Sequence, residues 1–279
     1  MAAQQSRLDA IGHNMANLNT AGYKTEDVAF KDMLYVTMKQ KDEVKALPQR
    51  QTTESLRLGA GVLAVASAQS FVQGSVQTTQ NPLDVAITGD GFFKIRAYDP
   101  QGNPYEAYTR DGSFKIGQVG ASQYLVTAEG YPVLGTDNQP IELTGFEKDS
   151  LTIDQNGLIT GLPNPLLGGG AAPGQATPRM LVGELEVTRV VHPESNLVAA
   201  GENLYRLHAQ VNQNDVQANA ILVNGQRHNT LQQRAIEMSN VDMSQQMTEM
   251  IVAQRAYSMN ARALTTTDQM MGIANNLRA

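Results

Sequence analysis

The chain has 279 residues, enough for one large core or two modest ones, and 21 Lys and Arg against 27 Asp and Glu leave it with a net charge near −6. That balance, without a basic block or a basic patch interleaved with aromatics, argues against a nucleic-acid partner. The absence of Cys excludes a disulfide framework and Cys-ligated metals, and no apolar run is long enough for membrane insertion or shaped like a cleavable secretory signal.

Residues 1–19 are expected to form a first helix. Met1, Gln4, Leu8, Ile11, Met15 and Leu18 recur at alternating three- and four-residue steps, the spacing of a packing seam. At about five turns, such a helix is marginal alone and needs a partner. Asn17 to Gly22 should end it, with Gly22 in the left-handed cap position. Residues 29–40 hold a short apolar segment, and 41–58 read as an extended or mobile connector.

From 62 to about 207 the pattern changes to period two. Strands are expected near 62–68, 75–78, 83–87, 92–98, 108–109, 113–116, 124–127, 151–153, 158–160, 181–187 and 204–207. Turn pairs sit between them at Asp90-Gly91, Asp111-Gly112, Glu129-Gly130 and Asn156-Gly157, which argues for an antiparallel β domain. Residues 162–178 form a Gly- and Pro-rich loop, and 212–224 are polar and irregular.

The last element is a long helix opening near Ser239, with Asp242 as its cap and Gln245 at the capping-box position. Met243, Met247, Met250, Gln254, Tyr257, Ala261, Leu264, Asp268 and Met271 again alternate threes and fours. The expected fold is α+β: N- and C-terminal helices packing as a coiled-coil-like pair, a central antiparallel β domain, and extended connectors. The boundaries are 1–28 for the N-terminal axial helix, 29–60 for a connector, 61–210 for the β-rich outer domain, 211–238 for a second connector and 239–279 for the C-terminal axial helix. A single buried core does not need that plan, whereas a filament does. The predicted assembly interface is Leu8, Ile11, Met15, Leu18, Met243, Met247, Met250, Ile251, Tyr257, Leu264 and Met271.

Chemistry-bearing motifs are absent from the sequence. There is no GxSxG, HExxH, P-loop or GxGxxG. His13, His192, His208 and His228 lack metal-ligand spacing. Asp154-Gln155-Asn156-Gly157 opens like a calcium loop but lacks the third ligand and has Pro165 where a Glu belongs, so it reads as a hairpin turn. Asp84, Asp90, Asp111 and Glu129 each sit beside a turn Gly or at a strand edge. No catalytic, cofactor or metal site is expected, and no cofactor. A secreted β-domain binding module, with the helices serving only dimerisation, is the other reading; a hydrolase ranks last.

The residues at the two ends carry a family likeness. Asn14, Asn17, Thr20, Gly22, Tyr23 and Lys24 stand in an N-x-A-N-x-x-T-x-G-[FY]-K pattern. Asn240 and Asp242 in Ser-Asn-Val-Asp, then Gln254, Arg255, Tyr257 and Asn260, stand in the matching pattern at the other end. Between them lie Phe71-Val72-Gln73-Gly74, Asn81-Pro82-Leu83-Asp84, Gly89-Asp90-Gly91-Phe92-Phe93, Tyr108-Thr109-Arg110-Asp111-Gly112 and Glu129-Gly130-Tyr131-Pro132. Together these resemble the bacterial flagellar rod and hook family over nearly the whole chain. Length, the Lys31-Asp32-Met33-Leu34-Tyr35 segment and the modest β domain look most like its distal rod members; a proximal rod or hook-basal-body paralogue is the alternative.

The resemblance implies a non-enzymatic structural subunit of the flagellar basal body. It would self-assemble into a helical tube that carries torque from motor to hook and conducts exported subunits. The implied partners are further copies of the chain, other rod proteins, hook or hook-junction proteins, the flagellar type III export apparatus, and ring proteins around the rod. Delivery would use no cleavable signal peptide. Family members begin about a dozen residues before the position of Met1, so a shortened first helix or an upstream start is expected.

Overall fold

The computed structural model describes residues 2–32, 35–39, 55–59, 62–64, 68–120, 122–163, 178–208, 211, 215–218, 222–223, 226–227 and 229–278. Met1, His228, the glycine- and proline-rich loop over 164–177, all of 40–54 and most of 212–224 lie outside the described residues. The protein is α+β and falls into two compact units. One comprises Met1–Met15, Glu26–Gln69 and Met243–Ala279; the other comprises Ala16–Thr25 and Ser70–Asp242.

The first unit holds the two terminal helices and a β ribbon. Helix α1 covers Ala2–Ala16. It stops short of the expected end at residue 19, because Asn17, Thr20 and Gly22 turn the chain, so Leu18 lies in a loop. The ribbon pairs Glu26–Asp27 with Ala68–Gln69, Phe30–Asp32 with Val62–Ala64, and Tyr35–Lys39 with Ser55–Gly59, all antiparallel. Part of the stretch expected as a connector is therefore strand. Its aromatic and β-branched run Tyr35, Val36 and Thr37 suits a strand, but the Lys, Gln and Thr of the following stretch dilute the signal. The C-terminal helix spans Met243–Arg278 and starts directly after Asp242.

The second unit is the antiparallel β domain. Its largest sheet has six strands in the order Leu197–Gly201, Leu204–Leu207, Pro104–Thr109, Phe92–Tyr98, Val187–Val190, Val216–Gln217. Phe92–Tyr98 anchors it, pairing along its length with Pro104–Thr109 and at its start with Val187–Val190. Alternation along that strand sends Phe93, Ile95 and Ala97 into the main core with Val85, Ile87, Phe114, Leu125 and Leu185. Phe92 enters a second cluster with Tyr108, Val190, Leu197 and Tyr205. Around this sheet lie the hairpin Lys115–Val119 with Ser122–Val126 and the three-stranded sheet Thr152–Ile153, Leu158–Gly161, Met180–Glu184. A single turn, α2, covers Pro193–Asn196, which makes the C-terminal helix α3.

The run 181–187, expected as one strand, is two: the chain leaves one sheet after Glu184 and joins the other at Val187. The stretch 211–238, expected as a connector, carries four further strands besides Val216–Gln217, and Leu222–Val223 pairs with Gln226–Arg227. Thr230–Gln233 pairs with Val85–Thr88, and Ala235–Glu237 pairs with Val76–Thr78. Their inward residues, Leu231, Ala235 and Glu237, are buried, but Gln232, Gln233 and Arg234 hide the alternation.

Candidate functional site

In the helical unit, α1 meets the first turns of α3. Asn14 Nδ2 donates to Gln246 Oε1 at 3.3 Å, and Arg7 faces Glu249 at 3.7 Å. Falling numbers on α1 meet rising numbers on α3, so the two run in opposite directions there. The buried positions on the helices are Ile11 and Asn14 on α1 and Gln246 and Ala253 on α3, with Arg7, Leu8, Met15, Glu249, Met250 and Ala256 half-buried.

Most of the expected interface residues on α3 are open. Met243, Met247, Ile251 and Tyr257 are exposed, and Leu264 and Met271 keep 53% and 68% of their surface. The covered stripe Gln246, Glu249, Ala253, Ala256 sits about a quarter turn round the helix from the Met stripe. Val252, Met259, Met270 and Ile273 add further exposed apolar surface on the side away from the Met stripe. Isolated exposed apolar residues are ordinary, but a continuous run along a helix marks a surface meant for a partner. Of the family-pattern residues on this helix, Gln254, Arg255, Tyr257 and Asn260 are all exposed.

In the β unit, the pattern residues that follow α1 form a turn. Asn17 O accepts from Thr20 N at 3.2 Å, and Asn17 Oδ1 accepts from Thr20 Oγ1 at 3.1 Å. Gly22 has φ +67°, and a Cβ there would stand 2.6 Å from the Asp111 nitrogen, so both backbone and space demand glycine. Its N–H donates to Glu237 O at 2.8 Å. Gly74 is required for another reason: a Cβ would meet Met238 O at 2.0 Å.

Lys24 ends this turn in a buried charge cluster. Its Nζ donates to Glu237 Oε1 at 2.6 Å and to Val72 O at 2.9 Å. Arg110 donates to the other carboxylate oxygen at 2.9 Å and to Gly89 O at 2.6 Å, and its guanidinium lies 5.2 Å from the centre of the Phe92 ring. Gly74 N–H adds a third donor to Glu237, at 2.8 Å. Burial pushes the Lys24 ammonium below its ordinary 10.5; the Glu237 carboxylate opposes that and the Arg110 charge adds to it. Two cations thus depend on one carboxylate where water is excluded.

Asn240 saturates its carboxamide. Its Oδ1 accepts from Thr25 N at 2.8 Å and from Thr25 Oγ1 at 2.5 Å, and its Nδ2 donates to Ser70 O at 2.9 Å and Val72 O at 3.1 Å. The segments 24–25, 70–74 and 237–240 are therefore held together by two side chains, Glu237 and Asn240. Glu237 and Arg110 were not singled out from the sequence as site residues. The usable signal for Glu237 was its parity: it shares the inward face of its strand with Ala235.

Asp84 and Asp111 serve turns rather than chemistry. Asp84 accepts from Thr79 and Asn81, and Asp111 from Ser113 N–H. Among the described residues, no group of three or more His, Asp or Glu is placed to hold a metal ion.

Comparison with known proteins agrees with the terminal patterns. Residues 1–24 match the family described as flagella basal body rod protein. Residues 86–161 match the flagellar hook protein FlgE/F/G D1 domain, and 232–277 match the flagellar basal body rod FlgEFG protein C-terminal region. The chain is 36% identical to the flagellar basal-body rod protein FlgG of Borreliella burgdorferi, over all of this chain and 95% of that one. It is 34% identical to the flagellar hook-basal body complex protein FlhP of Bacillus subtilis, over 98% and 94% of the two chains. To FlgG of Agrobacterium fabrum it is 32% identical, over 99% and 95%.

Proposed function

Because this chain belongs to the flagellar basal-body rod protein family and is a structural subunit of the rod, we propose that it forms the distal rod as a helical tube of identical copies. The observation that carries the reading is the open apolar surface along α3. A helix of this length with so much exposed Met, Leu, Ile and Val is satisfied by neighbours rather than by its own domain. Each such side chain buried between copies contributes about 1.5–3 kcal/mol. Contacts between unlike faces of identical subunits, where the rotation does not close into a ring, propagate as a helix.

In this reading α1 and α3 pair in a coiled-coil-like way between copies, Leu8, Ile11, Met15 and Leu18 of one copy meeting the open Met243, Met247, Ile251, Tyr257, Leu264 and Met271 and the half-buried Met250 of the next. Residues 1–28 and 239–279 supply the axial part and 61–210 the outer domain, while 29–58 and 212–224 wedge between subunits and stiffen the tube. Stiffness is what carries torque from motor to hook, and the tube's bore conducts exported subunits. Delivery by the type III export apparatus, contacts with other rod, hook or hook-junction proteins, and rings around the outside complete the proposal.

The test is Leu264→Asp. The position is exposed in the subunit, so the β domain should melt as in the parent protein while rod assembly and motility are lost. Normal motility in cells carrying only this variant would sink the tube built on α3.

A further inference from the structure

Of the buried residues on the two long helices, Ile11, Asn14, Gln246 and Ala253, two carry side-chain amides. An apolar seam with a heptad-like repeat does not define its own register, since sliding one helix by seven residues matches apolar to apolar again. A buried amide does define it, because after a slip its donors and acceptor lose their partners in a place water does not reach.

Asn14 is built for that role. Its Oδ1 accepts from Glu26 N at 2.9 Å and its Nδ2 donates to Glu26 O at 2.8 Å, so the carboxamide pairs with residue 26 as a neighbouring strand would. The remaining N–H of Nδ2 reaches Gln246 Oε1. Asn14 is thus fixed to backbone on one side and reads a single position of α3 on the other. We propose that Asn14 and Gln246 are positioning residues that set the register of α1 on α3, and with it which apolar residues of α3 stay open for neighbouring copies. The register concerns one subunit and is tested without assembly; only its consequence for neighbouring copies rests on the proposed tube.

The experiment uses the full chain, whose lack of Cys allows engineered pairs without background. Arg7→Cys with Glu249→Cys reports the observed register, and Arg7→Cys with Ala256→Cys reports a slip of one heptad; a short bis-maleimide links whichever pair is close. In the parent background the 7–249 product should dominate. With Asn14→Leu and Gln246→Leu added, it should fall severalfold and the 7–256 product should rise. An unchanged 7–249 yield would mean that the amides do not set the register, whatever they add to stability, and would overturn the proposal. So would indiscriminate linking in the parent. Should the doubly apolar variant lose its helical signal, Gln246→Met alone carries the same comparison, because it leaves Asn14 bonded to Glu26.

Discussion

The Lys24 ammonium meets Glu237 at 2.6 Å, the two residues 213 positions apart in sequence and each 1% exposed. The contact joins the family pattern that follows α1 to the strand that leads into α3. It lies in the β unit and shares its carboxylate with Arg110. A buried ion pair is costly to form and far more costly to break in half, so the two partners are not equivalent under mutation.

Glu237→Gln should therefore cost about 3–5 kcal/mol, because it strands two buried cations. Lys24→Met should cost much less: it leaves Arg110 paired with Glu237 and replaces a desolvated ammonium with an apolar chain of similar reach. Urea unfolding of the two variants gives the order directly. A larger loss for Lys24→Met than for Glu237→Gln would refute the assignment of Glu237 as the shared partner.

The same cluster gives a pH dependence with a definite sign. The native Lys24 pKa is lowered, chiefly by burial, from 10.5. Below the native value Lys24 is charged in both states, and the burial penalty is fully present. Between the native value and 10.5 the unfolded chain holds the proton that the folded chain has released, so stability rises with pH across that window. Lys24→Met removes this slope. Subtracting its unfolding free energies from the parent's, from neutral pH to beyond 10, isolates the lysine from other titrating groups. The difference should grow with pH; a flat or falling difference contradicts the burial account.

The β domain was largely readable from its residues. Phe92–Tyr98 and Leu204–Leu207 have the bounds that alternation and turn pairs gave, and Glu129-Gly130 and Asn156-Gly157 turn the chain with glycine at positive φ. What escaped notice shares one cause, which is dependence on a distant partner. Glu237 looks like a solvated connector residue until Lys24 and Arg110 arrive from elsewhere in the chain. Thr230–Gln233 looks like a polar connector until it pairs with Val85–Thr88. The helix seam teaches a related point. Periodicity predicts that the Met-rich face of α3 packs on the first helix, and in the subunit most of that face is exposed. The buried stripe with Gln246 and Ala253 has almost no hydrophobic signature, α1 meets it at Gln246, and the conspicuous face stands open.

That distinction can be tested at two adjacent residues. Val252 keeps 55% of its surface and Ala253 keeps 1%, since one step along a helix moves the side chain by over a quarter turn. Ala253→Leu forces a large side chain into a filled position and should lose about 1–3 kcal/mol of stability in the isolated subunit, with reduced helical signal. Val252→Ser should leave the isolated subunit within about 0.5 kcal/mol of the parent, as exposed substitutions generally do. If both faces of α3 serve assembly, Val252→Ser nonetheless weakens polymerisation, seen as a raised concentration threshold in sedimentation and shorter rods by electron microscopy. Should Val252→Ser assemble like the parent, the far face of α3 is not part of the contact between copies, and the Met stripe alone carries it.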